Sequence, residues 1–109
     1  MSPPIAETAQ NDDLELAIYN LEQARHCSVT NGKRGLMIVS ELLASAIAKS
    51  KGWLFSNLKM AHNQIQNLLR RADSNWDLVR QTMLYIKAWL QSIQSFDLNM
   101  PELVALARA

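Results

Sequence analysis

The stretch that decides the fold spans residues 36–68 and reads LMIVSELLASAIAKSKGWLFSNLKMAHNQIQNL. Apolar residues recur in it at steps of three and four, which places them on one side of an α-helix. This stripe comprises Leu36, Val39, Leu43, Ile47, Leu54, Leu58, Ala61, Ile65 and Leu68. A second stripe with the same steps comprises Val79, Met83, Ile86, Leu90 and Ile93. Because no comparable segment alternates with period two, the sequence predicts an all-α fold.

Residues that can begin or end a helix divide the chain into four or five helices. We expect these helices to form a small bundle. Asp12 can cap a first helix, and Gly32 can end it in a left-handed conformation. Gly52 is the weak point of the long stripe, and Ser74 can cap the next helix. Pro101 suits the first turn of a short final helix. The predicted helices cover residues 12–30, 35–50, 53–72, 75–96 and 100–107.

The long stripe leaves a second arrangement open. Its register is kept across Ser50-Lys51-Gly52, so residues 35–72 could also form one long kinked helix. Such a helix would be roughly 55 Å long at 1.5 Å per residue. That length exceeds a compact monomer of this size and would require an elongated dimer. We therefore expect a break near Gly52.

Length and composition limit the classes of protein to which this chain can belong. The chain of 109 residues, 49 % of them hydrophobic, allows one folded domain, predicted over residues 12–109. Residues 1–11, with Pro3 and Pro4, are predicted to be a flexible arm. We expect no secretory signal and no membrane span, since no apolar run approaches about 20 residues. The single cysteine, Cys27, fits a reducing compartment. The expected location is the cytoplasm.

Residues that could carry chemistry are few and scattered. Two histidines, His26 and His62, and one cysteine do not supply the three or four converging ligands of a zinc site. His26 and Cys27 are adjacent, and neighbours one apart on a helix do not face each other. The segment around Gly32 and Gly35 lacks the spacing of a phosphate-binding loop. We therefore predict no enzyme activity, no metal site, no catalytic residue and no cofactor.

Basic and amide side chains recur at helical spacing between residues 49 and 71. No acidic residue lies between Leu42 and Ala72. Such a face could follow a phosphate backbone, with amides able to contact base edges. The candidate nucleic-acid-binding residues are Lys49, Lys59, Asn63, Arg70 and Arg71. The alternative is that the acidic first helix, which carries Asp12, Asp13 and Glu15, lies beside this face and neutralises it. A third interpretation is that an acidic protein partner binds this face.

A line of large apolar residues runs along the helix from Trp76 to Phe96, beside its core stripe. It comprises Leu78, Tyr85, Trp89 and Phe96. The two lines together cover more of the circumference than the roughly 100° that a surface helix needs. The surplus either fills the core, together with Trp53 and Trp76, or binds a partner. Tyr and Trp are enriched at the energetic centres of protein interfaces.

The sequence therefore favours a protein–protein interaction module without enzymatic activity. It would be a helical homodimer or a small adaptor or chaperone-like subunit, and it would bind its partner through Leu78, Tyr85, Trp89 and Phe96. The alternative is a small nucleic-acid-binding or regulatory protein that uses the face from Lys49 to Arg71. With a net charge of +1, composition alone does not favour nucleic acid.

Overall fold

The computed structural model describes the backbone of residues 5–108 and the side chains of residues 12–96. Four α-helices follow one another: α1 (Ile5–Arg25), α2 (Val29–Ala48), α3 (Gly52–Arg71) and α4 (Trp76–Arg108). No strand occurs within these ranges, so the all-α prediction is confirmed. The flexible arm was predicted over residues 1–11. Residues 1–4 lie outside the described residues, and residues 5–11 belong to α1. Helix α1 begins at Ile5, before the predicted start at Asp12, because Ala6, Glu7 and Ala9 are strong helix formers.

Each helix packs against two others. Helix α1 contacts α2 and α4, and α3 also contacts α2 and α4. Helices α1 and α2 run antiparallel, since Lys49 at the end of α2 reaches Asp13 in α1 while Gly35 lies against Ala24. The same holds for α2 and α3, since Lys33 near the start of α2 contacts Asp73 after the end of α3, and for α3 and α4, since Trp53 at the start of α3 contacts Phe96 far along α4. Both predicted stripes face the interior, where Leu36, Leu43, Leu58, Ile65, Met83 and Leu90 are fully buried. The apolar periodicity therefore identified the core correctly.

The predicted break in the long stripe is confirmed. Helix α2 ends at Ala48 and α3 begins at Gly52, whose φ is +59°. This left-handed conformation costs a residue with a Cβ roughly 1–2 kcal/mol, and glycine adopts it freely. The alternative of one continuous helix over residues 35–72 is wrong, because the chain reverses at Gly52 and packs α3 against α2.

The predicted junction at residues 30–35 is wrong in position. Helix α1 ends at Arg25 and α2 already begins at Val29, so Gly32 and Gly35 lie inside α2. Neither has a positive φ. A Cβ on Gly32 would overlap the Trp76 ring, and one on Gly35 would lie 2.7 Å from the Ala24 Cβ. These glycines permit close packing of helices and do not terminate one.

The prediction that one helix ends and another begins near Pro101 is also wrong. Helix α4 continues from Trp76 to Arg108, so no separate helix covers residues 100–107. The fixed φ of proline, near −65°, is helical, but inside a helix proline removes one hydrogen bond and its ring crowds the carbonyl four residues earlier, at a cost of about 3 kcal/mol. At the other end of α4, the cap is Asn75 and not Ser74. The Leu78 amide donates to Asn75 Oδ1 at 3.2 Å, while Ser74 Oγ donates to the Arg71 carbonyl.

Among the described residues, no helix combines the length and the apolar character needed to cross a membrane.

Candidate protein-interaction face

The predicted aromatic line lies on the flank of α4 that is turned toward α3. Phe96 packs against Trp53 at the start of α3, with ring centroids 4.5 Å apart. Leu78, five turns away along α4, lines a cavity shared with α3. Tyr85 lies between them at the same helical register and is 75 % exposed. The line therefore borders the groove between α3 and α4.

Exposed apolar side chains from both helices border this groove. Met60 of α3 is 56 % exposed, and Leu78, Trp53 and Phe96 are also exposed. We refer to Trp53, Met60, Leu78, Tyr85 and Phe96 as the α3–α4 face. Trp89, the remaining residue of the predicted line, is half-buried and packs against the core. Trp76 is also half-buried, so none of the three tryptophans is fully enclosed by its own chain.

The predicted basic residues are divided between two helices. Lys59, Asn63 and Arg70 are exposed on α3 at spacings of four and seven, and so share one side of that helix. We refer to these three residues as the α3 basic stripe. Lys49 belongs to the end of α2, where its Nζ contacts Asp13 Oδ2 at 3.0 Å. Arg71 lines the cavity between α3 and α4.

The acidic first helix does not lie beside the α3 basic stripe. In the described part of the chain, α1 contacts α2 and α4, while α3 lies across the core from it. Asp13 neutralises Lys49, as the alternative interpretation proposes, but that pair joins α1 to α2. Lys59, Arg70 and Arg71 have no ion pair with any described residue. The side of the protein formed by α3 is therefore positive.

A cavity of about 380 Å³ opens between α3 and α4 near their connection. Its polar lining includes Gln64, Asn67, Arg71, Asn75 and Thr82, and its apolar lining consists of Leu68, Leu78 and Val79. None of the residues that line it is acidic. Leu78 belongs both to this cavity and to the α3–α4 face, so the two features are continuous.

A polar cluster between α2 and α3 was not predicted from the sequence. Ser40 Oγ lies 3.1 Å from His62 Nε2, and Gln66 Nε2 donates to Ser40 Oγ. A serine beside a histidine is half of a nucleophile–base arrangement, which also requires a group that orients the imidazole. No carboxylate of the described residues hydrogen-bonds to His62. Spacing within one helix cannot reveal such a cluster, because its members come from two helices.

Within the described residues, no group of three or more His, Cys, Asp or Glu is placed to hold a metal ion. Cys27 is a free, half-buried thiol whose Sγ donates to the Gln23 carbonyl.

Glu22 is the centre of an ionic cluster between α1 and α4. Its carboxylate accepts hydrogen bonds from Arg25 at 2.9 Å and from Lys87 of α4 at 3.1 Å, and it contacts His26 at 2.9 Å. Bonding to Arg25, then to His26 and Lys87, lowers the pKa of Glu22 from its ordinary value of 4.5 to about 2. This cluster links α1 to α4 and has a structural role.

Acid is therefore expected to remove the contribution of Glu22 to stability. A carboxylate with a lowered folded-state pKa stabilises the fold above its unfolded pKa, and this stabilisation is lost as the pH falls from about 4.5 to about 2. Wild type should melt at a higher temperature than Glu22→Gln at pH 7, and the difference should shrink across that window. Circular dichroism melts at several pH values measure it.

The matched control is Glu15→Gln, an isosteric change at an exposed residue of α1 that has no ion pair with any described residue. It should leave the melting temperature nearly unchanged across the same window. A difference between wild type and Glu22→Gln that stayed constant from pH 7 to pH 2 would contradict the assignment.

Comparisons of this chain with protein-family models, with curated proteins and with solved structures gave no match.

Proposed function

We propose that this protein is a non-enzymatic interaction module, and that its α3–α4 face docks an acidic amphipathic helix of a partner protein. The observation that carries the proposal is the exposure of Tyr85, a large aromatic side chain that is 75 % exposed beside the groove between two helices. In this proposal the four helices form one cytoplasmic bundle that acts as a small adaptor.

The apolar part of the α3–α4 face has the composition of an interface centre. It contains three aromatic side chains, Trp53, Tyr85 and Phe96, together with Met60 and Leu78. Tyr, Trp and Met are enriched in such centres. A groove between two antiparallel helices accepts the apolar side of a third helix through residues spaced by three, four and seven. The expected partner segment is therefore an amphipathic helix.

The positive charge beside this groove favours a partner segment that is negatively charged. Helix α3 contains no acidic residue, and its Lys59, Arg70 and Arg71 have no ion pair with any described residue. A partner that carries Asp or Glu beside its apolar stripe would complement them and associate faster. A symmetric homodimer through this face would instead bring two copies of the same positive surface together. The charge therefore favours a different protein as the partner.

Outside the α3–α4 face, exposed large apolar residues also include Phe55 of α3 and Leu84 of α4. Four more lie on the outer sides of α1 and α2, namely Leu16, Tyr19, Met37 and Ile38. Exposed acidic residues accompany them, namely Asp12, Glu15 and Glu41, so this surface lacks the single charge sign of α3. Tyr19 is 60 % exposed and provides a matched control for Tyr85.

Photo-crosslinking from these two tyrosine positions tests the proposal. A photoreactive phenylalanine analogue replaces Tyr85 or, in the control, Tyr19, in cells of the source organism. We expect an adduct at position 85 whose cross-linked peptide, identified by mass spectrometry, is an acidic amphipathic segment of another protein. With that segment as ligand, Tyr85→Ala should weaken binding by about tenfold, and Tyr19→Ala by less than about twofold.

Each of the other outcomes would overturn the proposal in a different way. An adduct with a second copy of this chain would indicate a homodimer. A nuclease-sensitive adduct would favour the nucleic-acid alternative, in which the α3 basic stripe binds phosphates. Equal labelling at positions 85 and 19, or no adduct at position 85, would show that the α3–α4 face is not an interface. Unchanged circular dichroism of the variants checks that they remain folded.

A further inference from the structure

The cavity between α3 and α4 has a polar lining whose free hydrogen-bonding groups are mainly donors. Asn67 Oδ1 already accepts from Arg70 Nη2 at 2.8 Å, and Asn75 Oδ1 accepts from the Leu78 amide at 3.2 Å. The side-chain NH₂ groups of Asn67 and Asn75 are therefore left to donate to something else. Thr82 Oγ1 and Ser74 Oγ already donate to the Leu78 and Arg71 carbonyls, so these two hydroxyls can only accept further bonds. The Gln64 amide can both donate and accept.

The lining of this cavity includes one positively charged residue. Arg71 lines the cavity and has no ion pair with any described residue. The acidic residues nearest in sequence are engaged elsewhere. Asp73 Oδ2 lies 2.9 Å from Lys33 Nζ, and Asp77 contacts Arg80 at 3.7 Å. The guanidinium is thus free to form the planar, two-point contact that it makes with carboxylates.

Three residues of the lining are aliphatic. Leu68 and Val79 are buried at the wall of the cavity, and Leu78 is exposed at its side. A volume of about 380 Å³ is near the small end of ligand-binding pockets. The ligand that fits has one acceptor-rich anionic group, to match one arginine and the amide donors, and a small aliphatic part, to match the leucines and the valine.

We propose that this cavity binds a small carboxylate with an adjacent aliphatic group, with Arg71 as the residue that binds the anion. Two sources share this chemistry: the carboxyl terminus of a peptide that ends in an aliphatic residue, and a free short-chain carboxylic acid. The inference does not rest on the proposed docking of a helix, since Tyr85 is not among the residues that line the cavity.

Titration of the ¹⁵N-labelled full chain by NMR tests this site with N-acetyl-leucine as the probe. We expect shifts of the Asn67, Asn75 and Thr82 signals, and no comparable shifts with N-acetyl-leucinamide, which lacks the charge. Arg71→Gln should weaken binding by about tenfold, because it removes a charged hydrogen-bonding partner. Arg34→Gln, at an exposed arginine of α2, should leave binding unchanged, and so should Tyr85→Ala.

Hexanoate distinguishes the two sources, because it carries the same charge and aliphatic character without a peptide group. Tighter binding of N-acetyl-leucine assigns the site to peptide carboxyl termini, and tighter or equal binding of hexanoate assigns it to free acids. Equal shifts with the uncharged amide would overturn the proposal. So would full binding by Arg71→Gln, once its circular dichroism shows that it is folded.

Discussion

Replacing Gly32 with alanine is expected to destabilise the protein by about 1–3 kcal/mol. The same substitution in an exposed helix would stabilise it by about 1 kcal/mol, because alanine has the higher helix propensity. The packing around Gly32 is expected to make the same substitution destabilising. A Cβ there would overlap two atoms of the Trp76 ring and would lie 3.2 Å from the Ala24 carbonyl oxygen. The ring cannot shift without disturbing its own hydrogen bond.

Urea unfolding of wild type and Gly32→Ala measures this effect. Ala44→Gly, at an exposed position of the same helix, shows the effect of propensity alone and should cost about 1 kcal/mol. If Gly32→Ala were as stable as wild type or more stable, the close approach of α2 and Trp76 would be contradicted.

Replacing Trp76 with alanine is expected to have the largest effect, a loss of about 3 kcal/mol in the free energy of unfolding. The indole is half-buried against the core and covers Gly32, which is itself buried. Its Nε1 donates to the Cys27 carbonyl at 3.2 Å, across the end of α1. The substitution would leave a void beside Gly32 and remove the partner of that carbonyl.

The two substitutions should be strongly coupled, because they act on one contact. In the Trp76→Ala background the space above Gly32 is empty, so Gly32→Ala should cost little or become stabilising. A double-mutant cycle by urea unfolding measures the coupling, which we expect to be at least about 1 kcal/mol. Additive effects of the two changes would show that the ring and the glycine do not share the packing described.

Apolar periodicity was sufficient to predict which residues form the core. Leu36, Val39 and Leu43 in α2, and Leu58 and Ile65 in α3, are all buried as their spacing indicates. Such prediction works because burial in a helix depends on a repeat that is local in the sequence. The break near Gly52 was favoured because glycine is unfavourable inside a helix and an unbroken helix over residues 35–72 would be too long for a compact monomer. The positive φ of Gly52 is seen only in the structure.

The wrong predictions of helix ends concern residue types that can serve two structural purposes. Gly32 and Gly35 suit a helix end by their conformational freedom, and they suit a close helix contact by their lack of a side chain. The choice between these uses depends on Trp76 and Ala24, which lie at a distance in the sequence or on another helix. Pro101 likewise can begin a helix or lie within one, and the sequence around it suggested a start.

The candidate sites were predictable only in part. Tyr85 and Leu78 were identified from the surplus apolar surface of α4, and both are exposed. The sequence of α4 alone could not show that Trp89 packs against the core. It also could not show that Met60 of α3 borders the same groove. The cavity at Arg71 and the Ser40–His62 contact also depend on two helices meeting.

The sequence by itself determined the all-α class and the inward side of each helix, because both follow from interactions within a few turns of one helix. It favoured a break near Gly52 but left one continuous helix over residues 35–72 open, and the structure decided between them. Only the tertiary structure decided which helices are neighbours. It placed α1 next to α2 and α4, with α3 across the core. Asp13 and Glu22 of α1 therefore pair with Lys49 and Lys87, and the positive charges of α3 stay exposed. Electrostatic neighbours are set by distances in space, which the order of residues along the chain does not specify.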